Sequence, residues 1–325
     1  MKKDVLRLCL KFIILGIPLY VLMLLAFIFP MDFLPAEYPM WREESDYVRT
    51  GGEDPDIIII GDSRAKSGII PELLTEGTGR SAYNIAVGGC NAVEMYYALK
   101  HYLENHEAPE QAVVIFAPYH FCDIDNFGQT QTFNYLSVGE LSEVYSQALG
   151  FGETQKLGDH FFTDVFSCKL RLPNKYLASI YEASLFGRGE ENRKKYDSVR
   201  ADRGYTEFGT ESGNNFPAYE VHHPEFDSLH LVVLYYDRLL ELADDNGIEV
   251  FALQSPVNEA TSEGMSPRFR SGFGAFMEER AQRYPHFTVE TQIPCYESRY
   301  FGDNNHLNRE GAGVFTRSVK DRYIN

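Results

Sequence analysis

A serine near one end of this 325-residue chain and an aspartate and a histidine near the other have the types and spacing to do chemistry together. Ser63 stands in Gly61-Asp62-Ser63-Arg64, directly after Ile57-Ile58-Ile59-Ile60, while Asp303 and His306 share Asp303-Asn304-Asn305-His306. A free hydroxyl is a weak nucleophile near neutral pH. A histidine within hydrogen-bond reach supplies the base, and a carboxylate fixes the tautomer of that histidine. Three residues apart, Asp303 and His306 can project from one turn. Each alone has an ordinary reading: Ser63 as a helix cap, Asp303 as a turn former and His306 as a surface side chain. As a set they point to acyl chemistry through a serine.

Other polar residues near these motifs carry less. Asp62 is expected to brace the turn, and Arg64 either binds an anionic substrate group or pairs with an acidic side chain of the fold. His222 and His223 with Glu225 and Asp227, and Asp123 with Asp125, lack a diagnostic ligand arrangement, so no metal is predicted. Neither a P-loop nor a G-x-G-x-x-G fingerprint is present, and the chemistry of an activated serine requires no cofactor.

The elements that must position Ser63 read as α/β. Four consecutive isoleucines are the pattern of a strand buried on both faces of a parallel sheet, and open α/β sheets place ligands beyond the carboxyl ends of their strands. Further strands are predicted at 82–86, 112–117, 248–253 and 287–290, alternating with helices at 92–105, 228–246, 267–283 and 309–323, the last with Asn308 as N-cap. From about 121 to 225 the alternation fades and aromatic residues crowd in. This reads as an insertion or cap with helices at 138–148 and 175–186, its rings able either to pack a cap core or to stack on sugars.

Residues 12–31 carry no charge and are long enough to span a bilayer, at 1.5 Å rise per residue against a hydrocarbon layer of about 30 Å. Lys2, Lys3, Arg7 and Lys11 precede them with only Asp4 opposing, so the positive-inside rule predicts a cytoplasmic N-terminus and an extracytoplasmic C-terminal domain. The length of the run and the lack of an A-x-A site favour an uncleaved anchor over a cleaved signal peptide. Residues 1–31 thus form tip and anchor, 32–54 a stalk, and 55–325 the domain. The total formal charge is −17; residues 1–31 contribute +4 and −1, leaving −20 on the rest. Such acidity makes nucleic acid or an anionic lipid face a poor partner and leaves neutral glycans compatible. Cys9, Cys90, Cys122, Cys168 and Cys295 show no paired spacing. Buried free thiols are expected, with a Cys90–Cys122 disulfide the only pairing suggested by the strand order.

The strand ending in Gly61-Asp62-Ser63-Arg64 and the closing Phe301-Gly302-Asp303-Asn304-Asn305-His306-Leu307-Asn308-Arg309-Glu310-Gly311-Ala312 resemble the SGNH (GDSL-like) hydrolase superfamily. The nearest likeness is to its membrane-anchored branch, similar to proteins associated with membrane-bound O-acyltransferases. The resemblance implies a three-layer α/β/α sandwich with a flavodoxin-like parallel sheet and an ester-cleaving site with Ser63 as nucleophile, His306 as base and Asp303 as its partner. It also implies an oxyanion hole containing the backbone N–H groups of Ser63 and Gly89, the latter from Asn84-Ile85-Ala86-Val87-Gly88-Gly89. Where the superfamily carries an asparagine donor after the third strand, this chain has Ala117-Pro118-Tyr119-His120. Tyr119, His120 or Asn91 could substitute, and spacing does not select among them.

The expectation is an extracytoplasmic O-acetyltransferase or acetylesterase acting through an acyl-serine on a surface polysaccharide or wall polymer, with a membrane-bound O-acyltransferase as possible partner. The alternative is a non-catalytic glycan-binding or accessory subunit of such an acyltransferase.

Overall fold

The computed structural model describes residues 2–124, 127 and 130–324. Its centre is a sheet of β1 (Ile57–Gly61), β2 (Ala82–Asn84), β3 (Gln111–Ile115), β4 (Glu249–Leu253) and β5 (Thr288–Val289). All pairings are parallel and the spatial order is β2-β1-β3-β4-β5. After β1 the chain steps outward to β2 and then returns past β1 to β3. The switch point therefore lies between the carboxyl ends of β1 and β3, where such sheets open a crevice.

The isoleucine run builds both interfaces. Ile58 and Ile60 enter one core with Val114 and Ala252, under the helices Ala92–Asn105, His230–Asp245 and Pro267–Arg283. Ile57 and Ile59 enter the other with Val113, Ile115 and Phe251, under Ser63–Gly68, Pro71–Thr75 and Arg309–Val319. The result is a three-layer α/β/α sandwich. Full burial of each isoleucine contributes roughly 1.5–3 kcal/mol, which explains an unbroken apolar run where a one-faced strand would alternate.

Boundaries differ from the sequence expectation chiefly at strand ends. Beyond Asn84 and Ile115 the ladder loosens, yet Ile85 and Val87 still donate to the carbonyls of Ile59 and Gly61. The last helix is α-helical over Arg309–Val319, and its final turn over Lys320–Ile324 widens to a π-helix.

Three expectations need correction. The segment predicted as a stalk contains the helix Tyr38–Thr50, which buries Met40, Trp41 and Val48 against the domain. Its period was masked because Glu43 and Glu44 are buried too, accepting from the hydroxyls of Tyr83 and Tyr135. The insertion is largely helical, with Thr130–Tyr135, Phe161–Lys169 and Arg188–Ala201 besides the two helices expected, here Val138–Phe151 and Pro173–Phe186. Arg188–Ala201 carries little apolar periodicity to read. Phe127, Phe133 and Phe161 form core, while Phe162 and Phe166 stay exposed. Cys90, Cys122 and Cys168 are buried free thiols, so the suggested Cys90–Cys122 bridge does not form; Cys9 and Cys295 are exposed. Asp125 lies outside the described residues.

The N-terminal helix Lys2–Ala26 is long and apolar enough to cross a membrane. Its C-terminal end packs on Pro173–Phe186 through Met23, Ala26, Tyr176 and Ile180.

Candidate active site

Ser63 sits in a sharp turn between β1 and the helix Ser63–Gly68. Gly61 has φ of +152°, and a Cβ there would come within 1.8 Å of the Ile115 carbonyl oxygen, so only glycine lets β1 leave the sheet this close to β3. Asp62 is the N-cap, accepting from the Arg64 N–H at 2.8 Å. Its other oxygen accepts from the Ala117 N–H at 2.7 Å and faces His120 Nδ1 at 2.6 Å. Burial raises the affinity of this carboxyl for its proton, but the charge and hydrogen bond of His120 and the backbone donors outweigh it, and its pKa is lowered. The expected brace thus joins the turns after β1 and β3.

The second motif folds into a loop closed by the Phe301–Leu307 bridge and by Gly302 N–H donating to the His306 carbonyl at 2.9 Å. Asp303 Oδ1 accepts from the backbone N–H groups of Asn305 and His306, both at 2.7 Å, and Asp303 Oδ2 faces His306 Nδ1 at 2.8 Å. His306 Nε2 lies 2.8 Å from Ser63 Oγ. Burial works against the charge on Asp303, but His306 and the two backbone donors hold its pKa below the usual range. The three residues form one hydrogen-bonded chain with Nδ1–H pointing at the carboxylate and Nε2 at the hydroxyl, the arrangement in which the imidazole can take the serine proton. Phe208, which the sequence did not nominate, covers the outer side, its ring 4.9 Å from that of His306.

Arg64 is not available to a substrate. Its side chain is buried, in ion contact with Glu220 at 2.7 Å, and donates to Glu220 Oε2 at 2.9 Å. It also donates to Asn305 Oδ1 from Nε at 3.1 Å and Nη2 at 2.5 Å. Burial opposes the cation, but Glu220 more than compensates and the pKa is raised. Arg64 follows the serine and Asn305 precedes the histidine, so their bond latches the nucleophile turn to the base loop. Asn305 lay inside the motif and was legible; Glu220, 156 positions from Arg64, had no local signal.

Beside this assembly is a cavity of about 440 Å³ whose wall includes Gly89, Asn91, Tyr119, His120, Tyr219, His222 and His223. Ser63 and His306 are not in that wall, but two hydrogen bonds join it to their sequence neighbours: His120 with Asp62, and Asn305 Nδ2 to the Tyr119 hydroxyl at 3.3 Å. Gly89 has φ of +77°, a left-handed turn entering the helix Ala92–Asn105. Asn91 is the N-cap of that helix. Its Oδ1 accepts from Val93 N–H at 2.9 Å, and Glu94 completes a capping box by accepting from Asn91 N–H at 3.1 Å. Among the described residues Asn91 Nδ2 has no partner, so a fixed amide donor is left at the cavity. Tyr119 is held by Asn305 and lies under Arg64 at 5.6 Å. Burial raises its pKa, so its hydroxyl keeps its proton. His222 and His223 share the cavity with Asp123, but no group of three possible metal ligands occurs among the described residues.

No family model matches the chain, and no curated protein matches it. Among solved structures it is similar to one described provisionally as a platelet activating factor from Streptococcus pneumonia, at 13% identity and a TM-score of 0.35, covering 93% of this chain and 97% of that one. Likeness at that level carries no argument about fold or activity, which rest on the geometry above.

Proposed function

We propose that this chain is a serine-dependent acyl-ester enzyme of the SGNH kind, an O-acetyltransferase or acetylesterase acting on a surface glycan outside the membrane to which its N-terminal helix anchors it. The observation that carries the reading is the continuous chain from Ser63 Oγ through His306 to Asp303, with both contacts at 2.8 Å. His306 Nε2 takes the hydroxyl proton as Ser63 Oγ attacks the ester carbonyl. The imidazolium then protonates the leaving alkoxide, giving an acyl-serine. In the second half, His306 deprotonates the incoming hydroxyl, and its return of the proton to Ser63 closes the cycle. Water as acceptor gives hydrolysis; a sugar hydroxyl gives transfer.

The developing oxyanion is held by the Ser63 and Gly89 amides, and we assign the third donor to Asn91 Nδ2 over His120 and Tyr119. An amide donates in every protonation state. His120 has Nδ1 committed to Asp62 and offers only Nε2, whose donor role changes with the charge of the ring. The Tyr119 oxygen accepts from Asn305 Nδ2, which turns the hydroxyl toward the base loop although its own proton is not used in that bond. His120 and the rings of Tyr119 and Tyr219 instead suit a cavity that receives hydroxyl-bearing, flat-faced groups such as sugars.

The test is labelling of the purified full-length protein with a fluorophosphonate, alongside turnover of acetylated model esters. An adduct and turnover that vanish in Ser63→Ala, with both strongly reduced in His306→Ala, are expected. No Ser63-dependent adduct and no turnover would instead favour an accessory subunit that uses the fold to bind glycan or to dock on a membrane-bound acyltransferase.

A further inference from the structure

The helices Phe161–Lys169 and Pro173–Phe186 form a hairpin with an unusual surface. Phe162, Phe166 and Leu170 are exposed at i, i+4, i+8, and so are Leu177, Tyr181 and Leu185 on the second helix, followed by Phe186, 74% exposed. Each helix also has an inward face, with Phe161 and Cys168 buried on the first and Tyr176, Ile180 and Ala183 on the second. The exposed stripes are therefore second apolar faces, which water disfavours and which mark an interaction surface.

What covers them follows from where the hairpin is fixed. Leu170, at its turn, accepts a hydrogen bond from the Tyr20 hydroxyl at 3.2 Å. Phe27 packs edge-on against Tyr176, with centroids 4.6 Å apart, and Arg171 lies over the Phe27 ring at 4.4 Å. The Ser179 hydroxyl donates to the Phe33 carbonyl at 3.1 Å. Tyr20 precedes the end of the N-terminal helix at Ala26 by six residues, which is about 9 Å along its axis. A turn bonded at the level of Tyr20 lies below the outward end of that helix, and whatever apolar phase surrounds the helix there also reaches the hairpin.

We infer that the hairpin 161–186 is a second membrane contact, lying in the outer-leaflet interface beside the N-terminal helix with its exposed Phe, Leu and Tyr side chains among lipid acyl chains. Basic residues sit where such an arrangement places headgroups: Arg171 stacks by its guanidinium, and Lys175 pairs with Asp164 at 2.6 Å. Long cationic side chains that keep their charge at the polar boundary suit this position. With one spanning helix and one interfacial hairpin, the domain is held at two points and cannot swing freely about a single anchor.

The inference does not depend on the acyl-ester reading, but it does rest on the N-terminal helix spanning the bilayer. The test uses full-length protein in phosphatidylcholine nanodiscs with tryptophan at one position at a time, the buried Trp41 signal being subtracted, and acyl-chain-brominated lipid as quencher. I17W reports on the N-terminal helix. F166W and Y181W report on the hairpin. F216W is the outside control, on an exposed residue whose carbonyl is held by Asn258. Matched circular dichroism and melting show that each variant is folded. Loss of F166W and Y181W emission comparable to that of I17W, with F216W unaffected, supports the inference. If I17W is quenched while F166W and Y181W behave as F216W does, the hairpin faces something other than lipid, such as a membrane protein, and the inference is wrong. It falls equally if I17W itself escapes quenching.

Discussion

Replacing Asn91 separates two roles that one side chain fills through different atoms. Its Oδ1 caps the helix Ala92–Asn105, and its Nδ2 is the donor assigned to the oxyanion. Asn91→Ser and Asn91→Asp each retain an oxygen that can accept from Val93 N–H, and serine and aspartate are caps as good as asparagine, so stability should change by less than about 0.5 kcal/mol. Both lose the amide donor. One preorganised oxyanion donor is worth about 3 kcal/mol in the transition state, and at 1.36 kcal/mol per decade kcat should fall by roughly 100- to 1000-fold. KM should stay near its original value, because the ground-state carbonyl gains little from the same donor. Aspartate should be the worse of the two, placing a carboxylate where negative charge develops. The assay is steady-state hydrolysis of an acetylated chromogenic ester, with thermal melting in parallel. A kcat for Asn91→Ser within about threefold of the parent, with the melting point unchanged, would falsify the assignment and return the donor role to His120 or Tyr119.

Three further outcomes follow from the same geometry. Asp303→Asn leaves the loop its backbone acceptor but removes the carboxylate that fixes the His306 tautomer, so kcat should drop on the order of 10⁴-fold with little change in melting; a drop of less than tenfold would mean that Asp303 only shapes the loop. Glu220→Gln removes the charge opposite buried Arg64 and should destabilise the fold by about 3–5 kcal/mol, as measured by denaturant unfolding. An unchanged midpoint would show that Asn305 alone suffices to hold Arg64. Glu44, wholly buried and near Glu43, has its pKa raised to about 8, with burial the largest cause. The folded state then binds this proton more tightly than the unfolded chain, so stability is unaffected below the unfolded pKa near 4.5 and declines toward pH 8 at up to roughly 1.4 kcal/mol per pH unit. Glu44→Gln should therefore melt increasingly above the parent as pH rises from 5 to 8, and a constant offset across that range would contradict the ionisation.

Much of the sandwich was legible because its signals are local. Four isoleucines in a row state a strand buried on two faces, Asn91 and Asn308 stand where helices begin, and Pro267 opens a helix that runs to Arg283 as expected. The helix Tyr38–Thr50 was missed because Glu43 and Glu44 break an apolar period, and their burial becomes tolerable only once Tyr83 and Tyr135 arrive from distant segments to satisfy them. Arg64 stayed ambiguous for the same reason: its partner Glu220 is brought in by the fold, and no spacing along the chain announces it.

By itself the sequence determined the sheet, the apolar N-terminal helix and the identities of Ser63, Asp303 and His306, since hydrophobic periodicity, turn chemistry and reactive side chains are properties of short stretches. Only the tertiary structure decided that Ser63 Oγ meets His306 across 243 positions, that Arg64 serves the scaffold, that the Asn91 amide at the cavity has no partner among the described residues, and that the hairpin 161–186 is tied to the N-terminal helix at Tyr20. A hydrogen bond is made or lost within about an ångström, and that precision exists only after the two cores have closed and fixed where each turn points.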